Sequence, residues 1–339
     1  MMTAMIRRFV NEHRLFVSAL LLGLSCAVLL ACGSGSHPAN SFKHSDDHVH
    51  TAAISPSGEY ALVATSPHSV EIWDLKKNST AHTLDHQTHQ ISVIDSAISP
   101  DDTYALTAGK HSVSLWGLNT GNLYNSFELP GNIIDVALSN NGRHGLIALD
   151  NNTAIYVDLR TGNTLQTFQH NDKVTSVGLS RHGEFAITGS LDGTAKIWDP
   201  KTGQLLNIIE HDTPVNLVAI SRLGTYAMTS GENTAIKIWH VEDGKLLREL
   251  EGPPKTLASA RFSPDESLLA AGCKPQTLAL WNVQTGELLD SWVMPKKAFW
   301  RPTIVNVLGV SFSPDKRFIL TEDSLGRHHQ WPLPGAMDK

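Results

Sequence analysis

Phe185-Ala-Ile-Thr-Gly-Ser190, Leu191-Asp192-Gly193 and Thr194-Ala-Lys-Ile-Trp198-Asp199 follow one another without a break, and this stretch decides the fold. Two runs of β-branched, small and aromatic residues flank an Asp-Gly turn, the pattern of a β-hairpin. Upstream, Val174-Thr-Ser-Val-Gly-Leu179 leads into Ser180 and the turn Arg181-His182-Gly183. Downstream, Thr202-Gly203 leads into Gln204-Leu-Leu-Asn-Ile-Ile209. Four short strands joined by tight turns make one small antiparallel sheet. No segment past the N-terminal leader keeps a 3.6-residue apolar period with caps, so helices are expected to be nearly absent there.

The unit recurs seven times. A hydrophobic residue followed by serine appears at Ser55, Ser99, Ser139, Ser180, Ser221, Ser263 and Ser313, spaced 44, 40, 41, 41, 42 and 50 residues apart. Close to eighteen residues after each serine stands an aromatic: Trp73, Trp116, Tyr156, Trp198, Trp239, Trp281 and Trp331. This slot absorbs six of the eight tryptophans. Such a period, with an aromatic closing the third strand, predicts an all-β, seven-bladed β-propeller of four-stranded antiparallel blades. Length alone would suggest two domains in 339 residues. The repeat makes one, over 40–333, followed by a short tail at 334–339. Residues 332–339 are too few and too rich in proline to supply the last blade's fourth strand. Asn40-Ser-Phe-Lys-His44 instead matches the outer-strand segments Asn125-Ser-Phe-Glu128 and Gln166-Thr-Phe-Gln-His170. The N-terminal strand, at about 40–44, is therefore expected to complete the seventh blade and close the ring.

These residues resemble the WD-repeat family across nearly all of the chain after the leader. Trp198-Asp199 is the name-giving dipeptide. The resemblance implies a hydrogen-bonded brace in blade four formed by His170, Thr188 or Ser190, Asp192 and Trp198. Other copies depart from the pattern, with Trp116-Gly117, Trp239-His240, Trp281-Asn282, Trp331-Pro332 and Tyr156 in the corresponding place. Blade five keeps His211 and Trp239 and carries Asn233 in the aspartate slot.

The start of the chain has a different character. Arg7, Arg8 and Arg14 precede an apolar run from Leu15 to Leu30, too short for a relaxed membrane span and suited to a secretory signal. The run ends in Leu29-Leu-Ala-Cys32-Gly33, which resembles the lipobox of bacterial lipoproteins. The resemblance implies a signal peptide at 1–31, a lipidated linker at 32–39 and acylation (palmitate among the chains) at Cys32. The residue after the cysteine is not aspartate, which implies the periplasmic leaflet of the outer membrane. Cleavage would remove three arginines and Glu12, leaving 24 basic against 32 acidic residues and moving the net charge from −6 to −8. Ten residues separate Cys32 from Phe42, at most ~35 Å when extended.

The acidic balance argues against a nucleic-acid partner. After loss of Cys26 with the signal and acylation of Cys32, Cys273 is left as a single thiol, expected to be buried and inert. Histidines are numerous, and His44, Asp46, Asp47, His48 and His50, with His86 and His89, have ligand-like spacing. His44 and His86 nevertheless occupy the slot of His170 and His211, so a brace is expected and no metal or cofactor. No nucleophile elbow, phosphate loop or cysteine pair is present, so no catalytic residue is expected. The long interval between blades six and seven adds Met294-Pro-Lys-Lys-Ala-Phe-Trp-Arg-Pro302. Its Lys296, Lys297, Phe299, Trp300 and Arg301 are residue types that anchor interfaces, which makes this loop the candidate partner-binding site. The expectation is a monomeric, non-catalytic interaction scaffold in the bacterial cell envelope, with envelope proteins as partners. The architecture is similar to that of the propeller lipoprotein of the outer-membrane barrel assembly machinery, which extends the expectation to envelope biogenesis. The alternative is an enzyme or a small-ligand or metal sensor that uses the central channel.

Overall fold

The computed structural model describes residues 37–65, 69–86, 92–252, 256–295 and 304–335. They form seven four-stranded antiparallel sheets arranged as the blades of a propeller, spanning 49–84, 95–128, 133–169, 174–210, 217–249, 256–293 and 307–332. The seventh has only three strands of its own. Its fourth is the N-terminal strand Asn40–Lys43, which pairs antiparallel with Arg327–Pro332, setting Phe42 opposite His328. The strand stops at Lys43, although the His44 amide still donates to the Gly326 carbonyl at 2.8 Å. The ring is thus closed by the two ends of the described chain. Among the described residues, the helical structure is one 3-10 turn at Asn140–Gly142.

The recurring serine has a local cause. Its hydroxyl accepts the amide proton of the residue five positions on, at 2.9–3.1 Å, in every blade. All seven serines are buried at the turn between the first and second strands, where the hydroxyl replaces a water that cannot reach that amide. The Asp-Gly turn of the opening stretch is similarly specified: Gly193 has φ +81°, and a Cβ there would sit 3.1 Å from the His211 carbonyl.

Packing follows strand position. Second strands such as Tyr60–Thr65 and Ala186–Ser190 are made of apolar and small residues and are largely buried, because neighbouring blades cover both of their faces. Outer strands such as Leu123–Glu128 have one face in water and carry polar residues there. The core is therefore a set of layers between blades. Leu106 and Leu115 of blade two, for example, meet Val136 and Ile147 of blade three. Each such fully buried aliphatic side chain contributes about 1.5–3 kcal/mol.

Candidate functional site

Blade four brings its predicted brace together. The Trp198 indole N–H donates to Thr188 Oγ1 at 2.9 Å, and Thr188 Oγ1 lies 2.7 Å from His170 Nε2. His170 Nδ1 faces Asp192 Oδ2 at 3.2 Å. The ionised Asp192 carboxylate can only accept, so in the neutral ring the imidazole proton sits on Nδ1 and Nε2 takes the Thr188 hydroxyl proton. A neutral ring suits the site: burial and then Lys196 lower the His170 pKa. Burial pushes Asp192 upward, but hydrogen bonds from Thr194 and the Asn171 amide overcome it and hold the carboxyl at about 2. Of the two hydroxyl candidates, Thr188 takes the role. Ser190 donates elsewhere, to the Asp172 carbonyl at 3.0 Å.

Blade two keeps a shorter version, with His86 and Trp116 meeting at Thr107 (3.0 and 2.9 Å). Blade five departs from the sequence expectation. Trp239 donates to Thr229 at 2.7 Å, but His211 Nε2 is buried without a partner. Asn233 adopts a left-handed backbone (φ 51°), and its side chain meets Thr256 of blade six at 3.3 Å. The aspartate slot is filled in sequence, yet the turn aims it away from the histidine.

The histidine-rich N-terminal cluster is also redistributed. His44 packs its ring 4.5 Å from Trp73 but directs Nε2 to Glu322 of blade seven, at 3.0–3.1 Å. His328 Nδ1 meets the same carboxylate at 2.7 Å, and Phe42 stacks on the His328 ring at 4.8 Å. All three polar side chains are buried. Burial works to raise the Glu322 pKa, and the adjoining His44 and His328 outweigh it, bringing the carboxyl down to about 2. Among the described residues, these three have the spacing to hold a metal ion, in place of His44 with Asp46, His48 or His50. Metal-bound imidazoles normally have their second nitrogen held by an acceptor. Here His44 Nδ1 and His328 Nε2 are buried without one, so the donor set fits a hydrogen-bonded seam and not a metal centre.

The first strands of the blades enclose a central channel with a cavity volume of about 310 Å³. Its wall is pegged from blade to blade. Thr51 meets Ser96 at 3.3 Å, and Asp95 accepts the Val136 amide at 2.8 Å. Asp135 accepts the Val177 amide at 2.7 Å, and Ser259 donates to the Val307 carbonyl at 2.9 Å. Ser311 joins blade seven to blade one through the Ser55 carbonyl at 3.3 Å. Burial, reinforced by the charge on Asp135, pushes Asp95 well above the usual carboxylate range, and burial also raises Asp135. Each carboxyl spends an oxygen on the next blade's amide, which assigns the pair to the seams. One mouth of the channel carries Arg181, Arg222 and Arg261, which sequence reading did not single out.

Cys273 is buried. Cys32 and the loop residues Lys296, Lys297, Phe299, Trp300 and Arg301 lie outside the described residues.

Seven blades, hydroxyl-capped turns and a tryptophan-threonine-histidine-aspartate brace define a β-propeller of repeated units. The family model described as WD domain, G-beta repeat matches residues 162–199 and 244–282, which cover the bulk of blades four and six. Together with the seven-bladed ring, these matches support a WD-repeat propeller. No curated protein matches the chain.

Proposed function

We propose that the protein is a non-catalytic interaction scaffold, anchored by lipid at Cys32 and presenting the faces of a rigid ring to other proteins of the bacterial envelope. The observation that carries this reading is the ring itself: seven four-stranded blades around a central channel, with loops on two open faces. Propellers with WD repeats in general bind protein partners, and the family matches support that much here. The lipobox-like Leu29-Leu-Ala-Cys32 supports an outer-membrane anchor, and a short tether raises the effective concentration of whatever the ring captures. Lys296, Lys297, Phe299, Trp300 and Arg301 are the proposed partner contact, and envelope biogenesis is the proposed setting.

Crosslinking in intact cells, followed by mass spectrometry of the captured proteins, tests the scaffold. The expected result is a reproducible set of envelope proteins that is lost when Trp300→Ala is combined with Lys296→Glu and Lys297→Glu. Unchanged capture by that variant would remove the loop from the proposal. Acyl labelling, globomycin sensitivity and release of Cys32→Ser to the soluble fraction test the anchor.

A further inference from the structure

The turn between the first and second strands of each blade surrounds one mouth of the channel. The residue just after the recurring serine is proline in four blades, at Pro56, Pro100, Pro264 and Pro314. In blades four and five it is Arg181 and Arg222. Two residues before the serine, six blades carry a small residue: Ala53, Ala97, Ala137, Gly178, Ala219 and Ser311. Blade six alone breaks that ring, with Arg261. All three arginines line the same cavity, on three consecutive blades. The first two are adjacent through the backbone, where the Arg181 amide donates to the Arg222 carbonyl at 2.9 Å.

This arrangement places like charges together. Burial and then Arg181 lower the Arg222 pKa, while Arg261 is solvent-exposed. Among the described residues, none of the three makes an ion pair with a carboxylate. Arg222 Nε is buried without a partner, and Arg181 Nε has only Asn140 Oδ1 at 3.5 Å. Asp102 faces the cluster from beyond ion-pair distance, with Oδ2 taken by the Ser57 amide at 2.9 Å and Oδ1 without a partner. Three guanidinium groups lining one cavity with no carboxylate paired to them, on a chain with a net charge of −6, point to a partner outside the folded chain. Guanidinium forks match planar and tetrahedral oxyanions, and a charge-assisted pair in a partly dehydrated mouth is stronger than one in water.

We propose that Arg181, Arg222 and Arg261 form an oxyanion-binding site at this mouth of the channel, for a phosphate- or carboxylate-bearing group. Small wall residues leave the space beside the guanidinium groups open to such a group. The site stands independently of the anchor and of any protein partner.

The test uses the purified full chain in detergent, titrated with phosphate, pyrophosphate and citrate at constant ionic strength. Calorimetry should detect binding, and at a hundred times its dissociation constant the best anion should raise Tm by roughly 2–5 °C. Preference for pyrophosphate would identify a phosphate-bearing ligand, and preference for citrate a carboxylate-bearing one. The variant Arg181→Gln/Arg222→Gln/Arg261→Gln should lose at least roughly tenfold in affinity. Without ligand it should melt at the same temperature as the parent or higher, because the mutual repulsion is gone. A purely structural role predicts a lower Tm instead. No binding of any of the three anions overturns the proposal, and so does equal binding by the triple variant. Should that variant fail to fold, Arg261→Gln alone carries the same comparison.

Discussion

Blade four and the seam between blades seven and one solve the same problem with different chemistry. Each must tie a tryptophan-bearing third strand to the loop that enters the next layer. Blade four does so within about thirty residues, through a neutral relay from Trp198 to Asp192. At the seam, Trp73 turns to Glu71 of its own strand at 2.8 Å, and His44 is released to bond Glu322. The position matching Thr188 in blade one is Val63, which offers no hydroxyl. The seam's polar tie therefore runs between the two ends of the chain, with two histidines converging on one buried carboxylate where blade four's relay uses a single histidine. A local brace stabilises one blade, whereas the seam decides whether the ring is closed.

Removing residues 37–44 breaks this contrast with the largest effect. The deletion takes away four paired residues, the Phe42 stack and His44, and exposes the edge of Arg327–Pro332. Thermal unfolding should lose its cooperative transition or shift down by roughly 10 °C or more, with aggregation through the new edge. An unchanged melting temperature would show that ring closure does not depend on this strand. Thr188→Val comes next. It leaves the Trp198 N–H without its acceptor and His170 Nε2 without its donor, and should cost about 2–4 kcal/mol in denaturant unfolding.

The seam should announce itself through pH. The folded chain holds Glu322 at about 2, against an ordinary value of 4.5. Between these values the unfolded chain takes up a proton that the folded chain refuses. The stabilisation is thus complete above about pH 4.5 and is lost as pH falls toward 2, by on the order of 3 kcal/mol. Urea midpoints of the parent and of Glu322→Gln, followed from pH 6 downward, should converge in this window. Parallel curves would mean that the carboxylate has no special tie to the two histidines.

The two regions were also unequally legible in the sequence. His170, Thr188, Asp192 and Trp198 lie in a single repeat, so the period that reveals the blade also reveals the brace. Glu322 is 278 residues from His44, and only closure of the ring makes them neighbours. The sequence supported that closure through the match of Asn40–Lys43 to other outer strands, but nothing in it marked Glu322 as the residue His44 would meet. Asn233 shows the converse failure. Its position in the repeat is right, and a left-handed backbone turns it toward blade six, a conformation that repeat spacing does not record. The arginine cluster is spread one residue per blade, so it emerges only when the repeats are laid side by side around the channel.

Thr321→Val sharpens the comparison with the smallest expected effect. Thr321 accepts from the Trp331 indole at 3.0 Å, the counterpart of the contact between Trp198 and Thr188. Blade seven's nearby histidine does not extend that contact into a relay. His329 directs Nε2 to Asp323 at 3.1 Å, and the same carboxylate oxygen also takes Arg327. The hydroxyl of Thr321 therefore serves one indole, whereas that of Thr188 links two partners. Valine keeps the shape and leaves one buried N–H unpaired, so the cost should be about 1–2 kcal/mol, below that of Thr188→Val. Measuring both substitutions in one protein separates the worth of the indole contact from that of the relay behind it. Equal costs would mean that His170 and Asp192 add nothing beyond the tryptophan's hydrogen bond, and the distinction between the two regions would rest on the seam carboxylate alone.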